Sequence, residues 1–154
     1  MMDTLRDTVR WFNAAVPEPT IQNVNAQTGV HFEEVAEMLE QMVGTTPETY
    51  RLIQEAEAAL KSLAKALKAN GDHLLFEVTD NVLMLDALCD QIVTATGTGY
   101  MLGYLMVSGM QEVNRSNFSK FQDGVPVFDQ NKKIVKGLEY FRADLAPFAA
   151  APRF

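Results

Sequence analysis

Five carboxylates in two short segments offer the clearest chemistry in this chain. Glu33, Glu34 and Glu37 lie in HFEEVAEMLE. At about 100° per residue, Glu33 and Glu37 share one helix face, and Glu34 and Glu37 are neighbours. Taken alone, this set fits a solvated face equally well, because an apolar stripe of Phe32, Val35, Met38, Leu39, Met42 and Val43 falls on the opposite side. Asp86 and Asp90 in LMLDALCDQIV differ in their surroundings. They stand one turn apart, and Val82, Leu83, Leu85, Leu88, Cys89, Ile92 and Val93 leave them almost no polar face. Aspartate is a poor helix former and is costly to bury without a partner. Between residues 69 and 119 the only Lys or Arg is Arg115. Such a pair usually draws its countercharge from a basic side chain of another segment or from a metal ion.

If the helices bearing the two sets pack side by side, up to five like charges converge in a low dielectric and repel. Hard divalent cations with oxygen ligands, Mg²⁺ or Mn²⁺, relieve that repulsion. Mg²⁺ is commonly shared between a few carboxylates, water and substrate phosphates. The expected substrate is then a polyphosphate, and the expected reaction is metal-assisted hydrolysis. A third cluster, NRSNFSK at 114–120, sets Asn114, Asn117 and Lys120 at successive i, i+3 steps. It offers donors and positive charge to phosphate oxygens, and it equally suits an ordinary polar helix end.

The elements that must position these groups are helices. Apolar spacing predicts a first helix over about 3–14, ended by Pro17 and Pro19, and a second over about 20–43. Gly44 and TTPE at 45–48 supply a stop, a cap and a first-turn proline for a third helix over about 47–69. A long fourth helix is expected over about 73–106. Gly109 permits a bend, and a fifth helix follows to about Lys120. GVPVFDQNKKIVKG then alternates around a polar turn, as a short hairpin does, and the tail to Phe154 reads as an irregular arm. The expectation is an all-α bundle of about five helices forming a single domain over 1–154, with one short C-terminal hairpin or irregular arm.

Composition narrows the function classes. A chain of 154 residues suits one domain. Its single cysteine, Cys89, excludes an intrachain disulfide and a Cys-based zinc site, and its apolar neighbours suggest a buried thiol without chemistry. A net charge of −7 argues against a nucleic-acid binder, which needs a basic face. Residues 91–111 carry no charge over a length that could span a bilayer, yet ten of those 21 residues are Gly, Thr, Ser or Gln. They read as a helix buried in a soluble bundle. With no signal-like N-terminus, the expected location is cytoplasmic, with no membrane partner.

HFEEVAEMLE, LDALCDQIVTATGTGYMLGY, EVNRSNFSKF and KGLEYFRADL, in that order, resemble the MazG-like all-α nucleoside triphosphate pyrophosphohydrolases. The resemblance is to the phage and bacterial branch related to phosphoribosyl-ATP pyrophosphohydrolase, and it covers about residues 20–145. It implies that Glu33, Glu34 and Glu37 match the family's EExxE motif and Asp90 its second acidic motif, binding Mg²⁺ and orienting the attacking water. It also suggests Glu34 as the group that takes the proton. Asp86 departs from the usual ExxD spacing, standing four residues before Asp90 instead of three. The resemblance further implies that Asn114, Asn117, Lys120, Lys136 and Tyr140 lie near phosphates or a subunit interface, with Asn114 in place of the usual His. Cleavage between the α and β phosphates, and assembly as a homodimer or homotetramer that completes the bundle, follow from the same resemblance.

For the base, Trp11 and Phe12 offer stacking faces, and Asn13 and Asn25 offer an edge-reading amide, although such aromatics are more often core. Candidate substrates are dGTP or GTP, dUTP and dCTP. The competing readings are phosphoribosyl-ATP hydrolysis and a non-catalytic helical dimerisation or metal-binding module.

Overall fold

The structure is a computed structural model that describes residues 3–69, 71–129 and 134–149. The described chain is all-α. Its helices are α1 (Thr4–Ala15), α2 (Ile21–Glu40), α3 (Pro47–Lys68), α4 (Asn81–Leu102) and α5 (Met106–Phe118), followed by a single 3-10 turn at Ala146–Phe148. The expected hairpin is represented by two isolated antiparallel bridges, Gln122 with Val125 and Phe128 with Ile134. Its turn at 130–133 and the tail at 150–154 lie outside the described residues. The chain divides into two compact units, Glu18–Thr79 and the combination of Met1–Pro17 with Asp80–Phe154.

The first unit is an antiparallel hairpin of α2 and α3. Both helices open on threonine capping boxes: Thr20 with Asn23, and Thr46 with Thr49 ahead of Pro47. The packing seam is made of small residues. Asn25, Gly29 and Ala36 are the buried residues of α2 and Ala64 and Leu67 those of α3, and Gly29 lies directly against Ala64 and Leu67. A Cβ added at Gly29 would sit 2.9 Å from the Ala64 carbonyl oxygen and 2.7 Å from Lys68 Cγ. Gly29→Ala should therefore destabilise the protein by about 1–3 kcal/mol, read from thermal or urea unfolding, although alanine is the better helix former. An equal or higher stability would show that the helices are not so close. Of the apolar stripe, Phe32, Val35 and Leu39 are half-buried. Met38 and Met42 are about half exposed and Val43 more so, because close helix approach selects Gly and Ala for the seam.

In the other unit α1 packs on α5 through polar pins and aromatic rings. Asn114 is buried; its Nδ2 donates to the Thr4 carbonyl at 2.9 Å, and its Oδ1 accepts from Thr8 Oγ1 at 3.0 Å. Trp11 Nε1 donates to the Asn117 carbonyl at 3.0 Å, and the indole stacks on Phe121. Glu112 ties the C-terminal segment to α5, accepting from Arg115 and from the Asp144 N–H. Those donors, Arg115 first, hold its carboxyl below the usual range.

The break before α5 falls earlier than the sequence suggests. Gly103 adopts the left-handed conformation with φ 88° and ends α4, so Gly109 sits inside α5. The start of α4 is later than expected, at Asn81, because the Asp80 carboxylate caps the Val82 and Leu83 N–H groups. Beyond the Gly99–Met106 contact at its C-terminal end, α4 is open to solvent. Val82, Leu83, Leu85 and Val93 each leave more than 60% of their surface exposed, and Cys89, expected to be buried, is exposed with them. An apolar helix of this kind is normally covered. No helix among the described residues is long and apolar enough to cross a membrane.

Candidate functional site

The three glutamates of the EExxE segment stand on α2 beside the seam with α3, on a face supported by the capped N-terminus at Thr20 and the close approach at Gly29. α3 answers with lysines at matching intervals. Glu33 pairs with Lys68, and Glu40 pairs with Lys61, which also bonds Glu57. Its hydrogen bonds to Glu40 and then Glu57 hold the Lys61 ammonium well above its ordinary pKa. Glu37 and Lys65 line the same open groove, of about 690 Å³, between these two pairs. Neither makes an ion pair or hydrogen bond among the described residues.

Glu34 is more than a third exposed, yet its carboxyl is pushed up. Partial desolvation is the largest cause, followed by the charges of Glu37 and Glu33. The donor chemistry, all carboxylate oxygen, suits a hard divalent cation. Among the described residues, however, no group of three or more His, Cys, Asp or Glu is arranged to hold a metal ion.

Asp86 and Asp90 both lie exposed on α4. Their carboxylates make no ion pair or hydrogen bond among the described residues; the Asp90 backbone carbonyl accepts from Thr94 Oγ1. Their exposure to water removes the desolvation cost that the apolar sequence around them suggested, so neither needs a countercharge to be stable there.

The remaining candidates separate into pins and open groups. Asn114 commits its amide to α1, so its built role is to fasten α1 to α5. Asn117 Oδ1 accepts from Lys120 Nζ at 2.8 Å, and Lys120 Nζ lies 5.5 Å from the Trp11 ring centroid. Trp11, Asn117 and Lys120 thus form one cluster at the α1–α5 contact. Lys136 Nζ sits 4.5 Å over the Tyr140 ring, which pairs those two residues within the C-terminal segment. Asn13 is exposed on α1. Asn25 is fully buried: its Nδ2 donates to the His73 carbonyl at 2.9 Å and its Oδ1 accepts from the Leu75 N–H at 3.1 Å. This geometry fastens the segment after α3 onto α2 and leaves no amide edge facing a base. Asn25→Ala should cost about 1–3 kcal/mol of stability by orphaning those backbone groups, measured by urea unfolding. A change below a few tenths would show that the segment is held by other contacts.

Sequence reading passed over the lysines of α3. The signal was present: Lys61, Lys65 and Lys68 in KSLAKALK repeat the i, i+4, i+7 spacing of Glu33, Glu37 and Glu40, and the short 41–46 connection makes the two helices antiparallel neighbours. Comparison with protein-family models, curated proteins and solved structures found no match to the chain.

Proposed function

We propose that the protein is a Mg²⁺- or Mn²⁺-dependent nucleoside triphosphate pyrophosphohydrolase of MazG-like type, releasing a nucleoside monophosphate and pyrophosphate. The observation that carries the reading is the placement of Glu33, Glu34 and Glu37 on one face of α2, where partial desolvation first, and then the charges of Glu37 and Glu33, hold the Glu34 carboxyl above its ordinary value. Asp86 and Asp90 of α4, whose exposed carboxylates make no ion pair among the described residues, and the sequence resemblance support it.

In this reading Glu33, Glu34, Glu37, Asp86 and Asp90 hold the cation. Among the described residues, neither these glutamates nor the aspartates of α4 form a group arranged to hold a metal ion. When bound, the divalent cation supplies charge neutralisation of the triphosphate and acidifies water. Glu34, with the raised carboxyl, takes the proton from the attacking water. Lys120, Asn117, Lys136 and Tyr140 remain the candidate phosphate contacts. The exposed apolar surface of α4 is covered by a second copy of the chain, as a homodimer or homotetramer. The base stays open among guanine, uracil and cytosine nucleotides, and a cytoplasmic enzyme of nucleotide-pool control is the matching role.

The test is thermal unfolding of the full chain with Mg²⁺ alone and with Mg²⁺ plus each nucleoside triphosphate. Ligands that prefer the folded state raise its stability. An upward shift is expected with Mg²⁺ together with one or two of the nucleotides. No shift under either condition would favour the non-catalytic helical module.

A further inference from the structure

The α2–α3 hairpin carries a charge ladder with an open centre. Glu33 and Glu40 are seven residues apart, and so are Lys61 and Lys68. In an antiparallel pair this aligns the rungs Glu40–Lys61 and Glu33–Lys68 about 10 Å apart along the helices. Both outer rungs are closed. The middle rung belongs to Glu37 and Lys65, four residues from one partner and three from the next, and it is not closed. Three ammonium groups and three carboxylates therefore line one groove, with one of each sign unspent.

A free cation alone would face three lysines in this groove, and a free anion alone would face three glutamates. Either meets repulsion from half of the lining. A ligand that brings both signs, a divalent cation already bound to a phosphate chain, matches both halves. Ammonium groups are compact point charges suited to phosphate oxygens, and carboxylates suit the hard cation. Lys65 needs to break no existing bond to reach such a ligand, whereas Lys61 and Lys68 must leave Glu40 and Glu33.

We propose that the open rung is a seat for a cation-bound polyphosphate, with Lys65 taking the phosphate oxygens and Glu37 facing the cation. This rests on the hydrolase reading above and adds to it a phosphate-holding role for α3 that the sequence motifs do not assign.

The experiment is calorimetric titration of the full chain with inorganic tripolyphosphate in the presence of Mg²⁺. It compares the wild type with Lys65→Gln, Lys65→Arg and Arg51→Gln. Arg51 is an exposed α3 residue paired with Glu55, so its loss changes net charge equally at another place on the helix. Lys65→Gln should weaken binding roughly tenfold, Lys65→Arg should restore most of it, and Arg51→Gln should leave it unchanged. Binding of Mg²⁺ alone should not weaken in Lys65→Gln. Wild-type-like binding by Lys65→Gln, or equal weakening by Arg51→Gln, overturns the seat while leaving the hydrolase reading standing. Wild-type protein that binds no Mg²⁺–tripolyphosphate and releases no pyrophosphate overturns the hydrolase reading and the seat with it.

Discussion

Glu37→Gln is expected to lower pyrophosphate release by at least about 100-fold without lowering the stability of the metal-free protein. The choice of residue follows from the ladder. Glu33 is tied to Lys68, so Glu33→Gln would disturb a part-exposed ion pair worth up to about 1 kcal/mol as well as the site. Glu37 makes no ion pair among the described residues, and its charge helps to raise the Glu34 carboxyl. The sign of that shift is informative. A carboxyl whose folded pKa lies above the unfolded value stabilises the fold when protonated, and that contribution is lost as pH rises through the folded pKa. At neutral pH the ionised Glu34 is therefore a small burden on the fold, and removing the neighbouring charge should relieve part of it. Turnover and thermal unfolding measured side by side check both halves. Turnover equal to that of the wild type would remove Glu37 from the site. Lost turnover with a markedly lower unfolding temperature would mean that the carboxylate is structural.

Leu85→Asp and Val93→Asp on α4 are expected to shift the assembly toward monomers, weakening association by two orders of magnitude or more. Val82, Leu85, Cys89 and Val93 recur at three- and four-residue steps, so they share one face of α4, and each is exposed. Burying one such aliphatic side chain fully is worth roughly 1.5–3 kcal/mol, and a two-fold interface loses it twice. An aspartate buried there without a partner costs more. Sedimentation velocity over a micromolar concentration series would show it. A wild-type chain that stays monomeric, or variants that assemble like the wild type, would mean that α4 is not an interface between copies. If association is lost, Mg²⁺ and nucleotide responses measured on the same variants would tell whether Asp86 and Asp90 act across the interface or within one chain.

The helical architecture could be read from the sequence because its determinants are local. Thr20 and Thr46 announce capping boxes, Pro47 a first turn, and the alanine- and leucine-rich run a long α3. Boundaries failed where a side chain or a glycine conformation decided them: Asp80 rather than a residue near 73 starts α4, and Gly103 rather than Gly109 ends it. On α2 the apolar stripe is only partly covered, because hydrophobicity marks where cover is wanted, whereas Gly29 and Ala36 mark where two helices can meet within one chain. The same reasoning explains Cys89, whose apolar neighbours on α4 are uncovered in the isolated chain. In the site, the crowding of Glu33, Glu34 and Glu37 follows directly from helical spacing. The lysines opposite them could be found only by pairing two helices, and the amides of Asn25 and Asn114 proved to be pins because their partners are backbone groups that no spacing rule reveals.

Product analysis decides whether the protein carries out the proposed reaction. Nucleoside triphosphates of the four bases, in ribo and deoxy form, would be incubated with the full chain and Mg²⁺ or Mn²⁺, and the products separated by anion exchange. The account predicts equimolar nucleoside monophosphate and pyrophosphate from one or two substrates, abolished by removing the divalent cation. Nucleoside diphosphate with orthophosphate, cleavage that persists without divalent cation, or no product from any substrate by folded protein would contradict it.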